Sequence, residues 1–152
     1  LPFEGNTFDA VIGLDVIEHI DRDDLAINEW KRVLKPGGVM FLTAPAYQWL
    51  WSEHDEALQH HRRYLLKNLV RLGNGFDVIK KSYVVFLTLP LIVIYRLLRK
   101  ILPNKTPRTS YVILPPFLNN ALVFFLKIES YLLDYINFPS GTSILLITRK
   151  VG

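Results

Sequence analysis

Apolar and polar positions in the first fifty residues follow two different rhythms. Phe8, Ala10, Val11, Ile12 and Leu14 form a short, almost unbroken apolar run behind the turn-prone Glu4-Gly5-Asn6-Thr7. A run of this length predicts a buried strand. The period then lengthens, with Ala26, Trp30, Val33 and Leu34 recurring at helical spacing. Acids at Asp21, Asp23 and Asp24 precede this stripe, and Lys31, Arg32 and Lys35 close it. That charge order complements a helix dipole, and Asp21 is the expected N-cap. Pro36-Gly37-Gly38 stops the helix, and Val39-Met40-Phe41-Leu42-Thr43-Ala44 predicts a second buried strand. Strand, helix, tight turn and strand form a βαβ unit, so the two strands are expected to be parallel neighbours with a right-handed crossover.

Downstream, residues 45–63 read as a long loop rich in Trp, His and acids. Leu66, Leu69, Val70 and Leu72 predict a helix closed by Gly73 or Gly75. A third strand is expected over 76–84 and a last one over 142–150, entered through Pro139-Ser140-Gly141. The stretch between them differs in kind. Residues 82–95 carry no charge but contain Pro90, and Arg96, Arg99 and Lys100 follow. Residues 109–126 are also uncharged but contain Pro115-Pro116 and Asn119-Asn120. A spanning helix needs about 20 apolar residues, so neither run makes a convincing span. Helices lying in a membrane interface fit better, with an internal cap over the domain core and a true span as the alternatives.

Composition narrows the class. The chain has 152 residues, is 50% hydrophobic and lacks cysteine, with a mean hydropathy of +0.20. These values exclude a disordered, collagen-like or disulfide-stapled chain. The formal charge of +4 is divided unevenly: residues 1–64 net −5 and residues 65–152 net +9. The bases of the second half border Leu, Ile, Phe and Val, which suits an anionic membrane surface better than nucleic acid. A solvated basic face is the plainer alternative. The expectation is a cytoplasmic protein, peripheral on the membrane if the apolar helices dock there, with no nucleic-acid partner and an open oligomeric state. The chain begins at Leu1 with no leader-like run, which suggests a piece of something longer.

Chemistry in an open parallel sheet gathers at the carboxyl ends of the strands. Here those ends are Leu14-Asp15-Val16-Ile17-Glu18-His19 and Thr43-Ala44-Pro45-Ala46-Tyr47. The first brings two carboxylates and an imidazole to one rim, and the second leads into a loop able to fold over a ligand as a lid. The spacing of Asp15, Glu18 and His19 also admits a divalent cation, though three donors leave such a set incomplete. His54, His60 and His61 match no common zinc spacing and no cysteine accompanies them, so no metal is assigned.

Phe8-Asp9-Ala10-Val11-Ile12-Gly13-Leu14-Asp15-Val16-Ile17-Glu18-His19-Ile20, followed by Leu34-Lys35-Pro36-Gly37-Gly38, resembles the fourth and fifth strands of class I S-adenosylmethionine-dependent methyltransferases. Trp51-Ser52-Glu53-His54-Asp55, His60-His61-Arg62-Arg63-Tyr64 and Gly75-Phe76 are similar to a subgroup of the type 11 and type 12 members. The resemblance covers residues 1 to about 83 and the final strand. It implies an α/β fold, a Rossmann-like sheet whose last strand runs antiparallel between the fifth and sixth. Residues 1–152 would then be the C-terminal part of one methyltransferase domain, with an apolar helical insertion at 84–138. The family's glycine-rich loop and its acidic cofactor contacts have no counterpart here, so this chain alone is expected to bind cofactor weakly.

The implied activity is S-adenosylmethionine-dependent methyl transfer to a small, hydrophobic or lipid-linked acceptor. The alternative is a non-catalytic membrane-interface or interaction module retaining half of the fold. The resemblance places the Leu14, Asp15 and Val16 backbone near the methionine part of the cofactor. His19 beside that rim is the candidate general base. Asp55, His60, Arg63 and Tyr64 are expected to line the acceptor pocket, with Trp49 and Trp51 anchoring the lid by burial.

Overall fold

The computed structural model describes residues 1–101 and 114–152, with side chains described for all of these except 99–101. The elements in chain order are β1 (Phe8–Leu14), α1 (Asp23–Val33), β2 (Leu34–Pro45), α2 (Glu53–Ala57), α3 (Leu66–Leu72), β3 (Phe76–Val84), α4 (Leu89–Ile101), α5 (Pro116–Leu133) and β4 (Ser143–Lys150). Single 3-10 turns at Ile17–His19 and Gln48–Leu50 follow the first two strands.

The strands form one sheet in the order β1-β2-β4-β3. β1 and β2 are parallel, from Ala10 opposite Val39 to Leu14 opposite Thr43. β4 returns antiparallel between β2 and β3, with Leu42 opposite Leu146 and Tyr83 opposite Ile144. The expected βαβ unit and the expected place of the last strand both hold. The Pro36-Gly37-Gly38 turn lies within β2 because Leu34 already pairs with Phe8, and the register then jumps to Ala10 and Val39.

Period-two alternation decides which face is packed. Met40, Leu42, Ala44, Ile144 and Leu146 are buried on one face, where Ile27 and Trp30 of α1 and Leu69 of α3 join them. Gly13 must be glycine for this contact, since a Cβ there would lie 2.9 Å from the Trp30 ring. The opposite face is more open: Ile12, Leu14 and Phe41 are 66%, 58% and 36% exposed, whereas parallel strands are ordinarily covered on both faces. Asp21 does not cap α1. The helix begins at Asp23 with no side-chain cap at Arg22, because Arg62 draws the acids toward itself, at 3.6 Å from Asp21 and 3.1 Å from Asp23.

α4 and α5 fall in the apolar stretch, whose residues 102–113 lie outside the described residues. Glu129 of α5 is buried and its Oε2 accepts hydrogen bonds from the Phe86 and Leu87 amides at 2.9 and 3.0 Å. That carboxylate ties α5 to the entry of α4. The outer surfaces of both helices stay apolar and exposed, including Leu91, Ile94, Leu97, Phe117, Phe124 and Phe125. Among the described residues, no helix is long and apolar enough to cross a membrane.

Candidate active site

β1 ends in a strained turn. Asp15 has φ +51°, a left-handed conformation few non-glycine residues adopt. It is held there by Thr43 of the neighbouring strand: the Asp15 amide donates to Thr43 Oγ1 at 3.0 Å, and that hydroxyl donates to Asp15 Oδ1 at 3.2 Å. Leu14, Asp15 and Val16 remain exposed on the rim. Reversal at Asp15 starts the 3-10 turn that buries Ile17 and Glu18 while leaving His19 exposed.

The loop over 45–63 is folded and pinned. Pro45 O accepts from the Tyr64 amide and Tyr64 O from the Tyr47 amide, both at 2.8 Å, and the His61 amide donates to Glu18 O at 2.8 Å. Ser52 begins α2 by donating its amide and hydroxyl to Asp55 Oδ2 at 2.9 and 3.2 Å. This Ser-x-x-Asp pattern is a readable helix-start signal that a loop assignment passes over. Trp51 is half-buried, but Trp49 is 58% exposed beside Tyr47. Burial of Trp49 therefore does not anchor the loop; backbone pairing does.

Beneath the loop sits a buried charge cluster. Asp55 is fully buried and accepts from Arg63 Nε at 2.7 Å, while its Oδ1 lies 3.0 Å from His60 Nδ1. Arg63, only 4% exposed, also donates to Ala46 O at 3.0 Å. Burial alone would raise the Asp55 carboxyl, but the Arg63 hydrogen bond and charge, with His60 and Ser52, hold it below its ordinary value. Glu18 is in the reverse position. Burial and the charge of Asp15 push its carboxyl up, against weaker opposition from its own amide, His60 and Arg63. Arg96 reaches in from α4, 3.9 Å from Asp55, its guanidinium held below its ordinary value by burial and Arg63.

A cavity of about 320 Å³ opens at the carboxyl ends of β1 and β2, lined by Asp15, Glu18, His19, His60, Arg63 and Arg96 among others. His19, His60, Arg63 and Asp15 of the expected set thus meet there. Asp55 and Tyr64 do not line it. Asp55 stands behind His60 and Arg63, and Tyr64 donates its hydroxyl to Asp23 Oδ2 at 2.9 Å. Burial and that carboxylate push the Tyr64 phenol well above its ordinary range. Sequence reading missed Arg96 because it sits in an apolar run, where it reads as a flank of a membrane segment. The burial of Glu18 had no local signal.

The mixed four-stranded sheet with its antiparallel last strand is similar to the Rossmann-like sheet of methyltransferases of known structure. Residues 1–42 match the family described as "Methyltransferase domain". Over 90 residues, 53% of this chain, it is 32% identical to sterol 24-C-methyltransferase erg6 of Schizosaccharomyces pombe, covering 23% of that protein. It is 35% identical over 80 residues to squalene methyltransferase 1 of Botryococcus braunii, covering 53% of this chain and 20% of that one. The chain thus spans less than a quarter of the length of these relatives. Phosphoethanolamine N-methyltransferase 2 of Haemonchus contortus, solved with S-adenosyl-L-methionine, superposes with a TM-score of 0.54 at 20% identity, covering 99% of this chain and 35% of that chain.

Proposed function

We propose that this chain contributes the acceptor side of an S-adenosylmethionine-dependent methyltransferase acting on a lipid-like small molecule. The observation that carries the reading is the cavity at the carboxyl ends of β1 and β2, with His19 on its rim. The sequence kinship with sterol and squalene methyltransferases supports the acceptor class. On this reading, residues 1–152 are the C-terminal part of one methyltransferase domain, and 84–138 is its helical insertion. The exposed apolar face at Ile12, Leu14 and Phe41 supports that division, since such a face calls for further cover.

The rim fits the methionine end of the cofactor. Thr43 and Asp15 clamp the strand end into a fixed reversal, and exposed Leu14 and Val16 offer apolar contact beside a carboxylate. When bound, S-adenosylmethionine supplies an electrophilic methyl on a sulfonium. The chain's own residues then have three tasks: Leu14, Asp15 and Val16 position the donor, the pinned loop excludes water, and His19 takes a proton from the acceptor. His60 and Arg63 face the acceptor from the loop.

Exposed apolar residues on α4 and α5, beside exposed Lys127, support docking of this part on an anionic membrane surface, from which a lipid acceptor can enter. The native protein incubated with methyl-labelled S-adenosylmethionine and a sterol panel should transfer label to the organic phase. Equilibrium dialysis with the same cofactor gives the contrary case: no binding and no transfer would leave a non-catalytic module as the reading.

A further inference from the structure

The buried acid Glu18 has no group to satisfy it. Its side chain is 1% exposed, and neither carboxylate oxygen has a hydrogen-bond partner. His60 Nε2 lies 4.0 Å from Oε1, beyond hydrogen-bonding reach. Protonating Glu18 does not resolve this, because the added O–H would also need an acceptor. Leaving a buried carboxyl unpaired is costly, so the position calls for a partner.

His60 is arranged to supply part of one. Its Nδ1 is 3.0 Å from Asp55 Oδ1, so an N–H at Nδ1 would donate to that carboxylate and leave Nε2 on the side of Glu18. A carboxylate behind a histidine is the arrangement that orients metal-binding imidazoles and raises their basicity. The His19 ring stands edge-on to His60 with centroids 4.7 Å apart. One donor atom from each of Glu18, His19 and His60 lies within 4.8 Å of the others. Two ligands bound at about 2.1 Å to one ion sit no more than about 4.2 Å apart, so small side-chain rotations close the set.

We propose that Glu18, His19 and His60 hold a divalent transition-metal cation, with Asp55 positioning His60 from behind. One carboxylate oxygen and two imidazoles, without thiolate, suit Mn²⁺, Fe²⁺, Co²⁺ or Zn²⁺ better than Mg²⁺ or Ca²⁺. Asp15, which sequence spacing offers as a ligand, is instead engaged with Thr43, and His60 from the distant loop takes its place. Three protein donors leave coordination positions open toward the cavity, where Thr142 and Ser143 also lie. If the methyl-transfer reading holds, such a cation would supply Lewis acidity beside the acceptor cavity. Cation binding itself does not depend on that reading.

The test uses the full chain stripped with chelator and titrated with Co²⁺, followed by visible absorption and calorimetry. One equivalent should bind with a ligand-field band, and Glu18→Gln should weaken binding at least tenfold. Asp55→Asn should weaken it about tenfold, as loss of a partner behind a metal-binding histidine does. Wild-type protein should also melt higher with Co²⁺ than without, whereas Glu18→Gln should melt at one temperature in both. Absence of binding by the wild type, or equal binding by Glu18→Gln, overturns the site. Labelled-cofactor dialysis on the same sample separates the two readings, because cofactor binding without Co²⁺ binding sinks only the cation site.

Discussion

At the scale of single residues, Asp55 is the centre of the buried charge cluster beneath the loop. It neutralises Arg63 and orients His60, and both partners are more than nine-tenths buried at the side chain. Asp55→Ala should leave the Arg63 guanidinium buried and uncompensated, at a cost of about 3–5 kcal/mol, read from urea unfolding at neutral pH. Wild-type stability should respond to pH through two opposed groups. The Asp55 carboxyl lies below its ordinary value, so its contribution is present above the unfolded pKa of about 3.9 and is lost as pH falls through the folded value. Glu18 is shifted upward, so stability falls as pH rises from about 4.3 through its raised value, then levels. Glu18→Gln should flatten that second slope in a pH series of denaturation curves. For catalysis, His19→Ala should lower turnover about 10²-fold if this side chain accepts the proton. A loss below about threefold in steady-state rates would make it structural.

At the scale of elements, the pairing of β3 with β4 includes a close backbone approach. Gly141 lies against the end of β3, where a Cβ would meet Val84 O at 2.1 Å. Backbone atoms cannot yield as a flexible side chain can, so Gly141→Ala should force β3 and β4 apart at Val84. A loss of about 1–3 kcal/mol is expected, with faster amide exchange at Ser143 and Ile144, whose strand neighbours are Val84 and Tyr83. Most strands and α3 were legible because apolar period and flanking glycines or prolines agree locally. The α1 start was not, since Arg62, some 40 residues away in sequence, engages the acids expected to cap it. α2 was legible in its Ser52 and Asp55 spacing, but a five-residue helix among polar residues has no apolar stripe to mark it.

At the scale of the whole molecule, charge is divided unevenly along the chain. The acidic first half carries the rim, and the basic second half carries exposed Leu91, Ile94, Phe117, Phe124 and Phe125. On the proposed reading, these exposed apolar side chains together with exposed Lys127 predict binding to anionic vesicles that weakens with salt, because the screening length shortens as ionic strength rises. Co-sedimentation with phosphatidylserine vesicles at 50 and 500 mM salt checks this; equal or absent binding at both removes the membrane part of the reading.

The sequence by itself determined the parallel βαβ start, the last strand, the glycine-bounded turns and the rim bearing Asp15, Glu18 and His19. These follow from local periodicity and turn chemistry, which are encoded within a few residues. Only the tertiary structure decided that Glu18 is buried without a partner, that Asp55 faces His60 and Arg63 instead of the cavity, and that Arg96 of α4 enters the site. Glu18 and His60, and Asp55 and Arg96, stand about 40 residues apart along the chain, so no local window contains both partners; Asp55, His60 and Arg63 are sequence neighbours, but the fold of the loop decides that the carboxylate turns to them and away from the cavity.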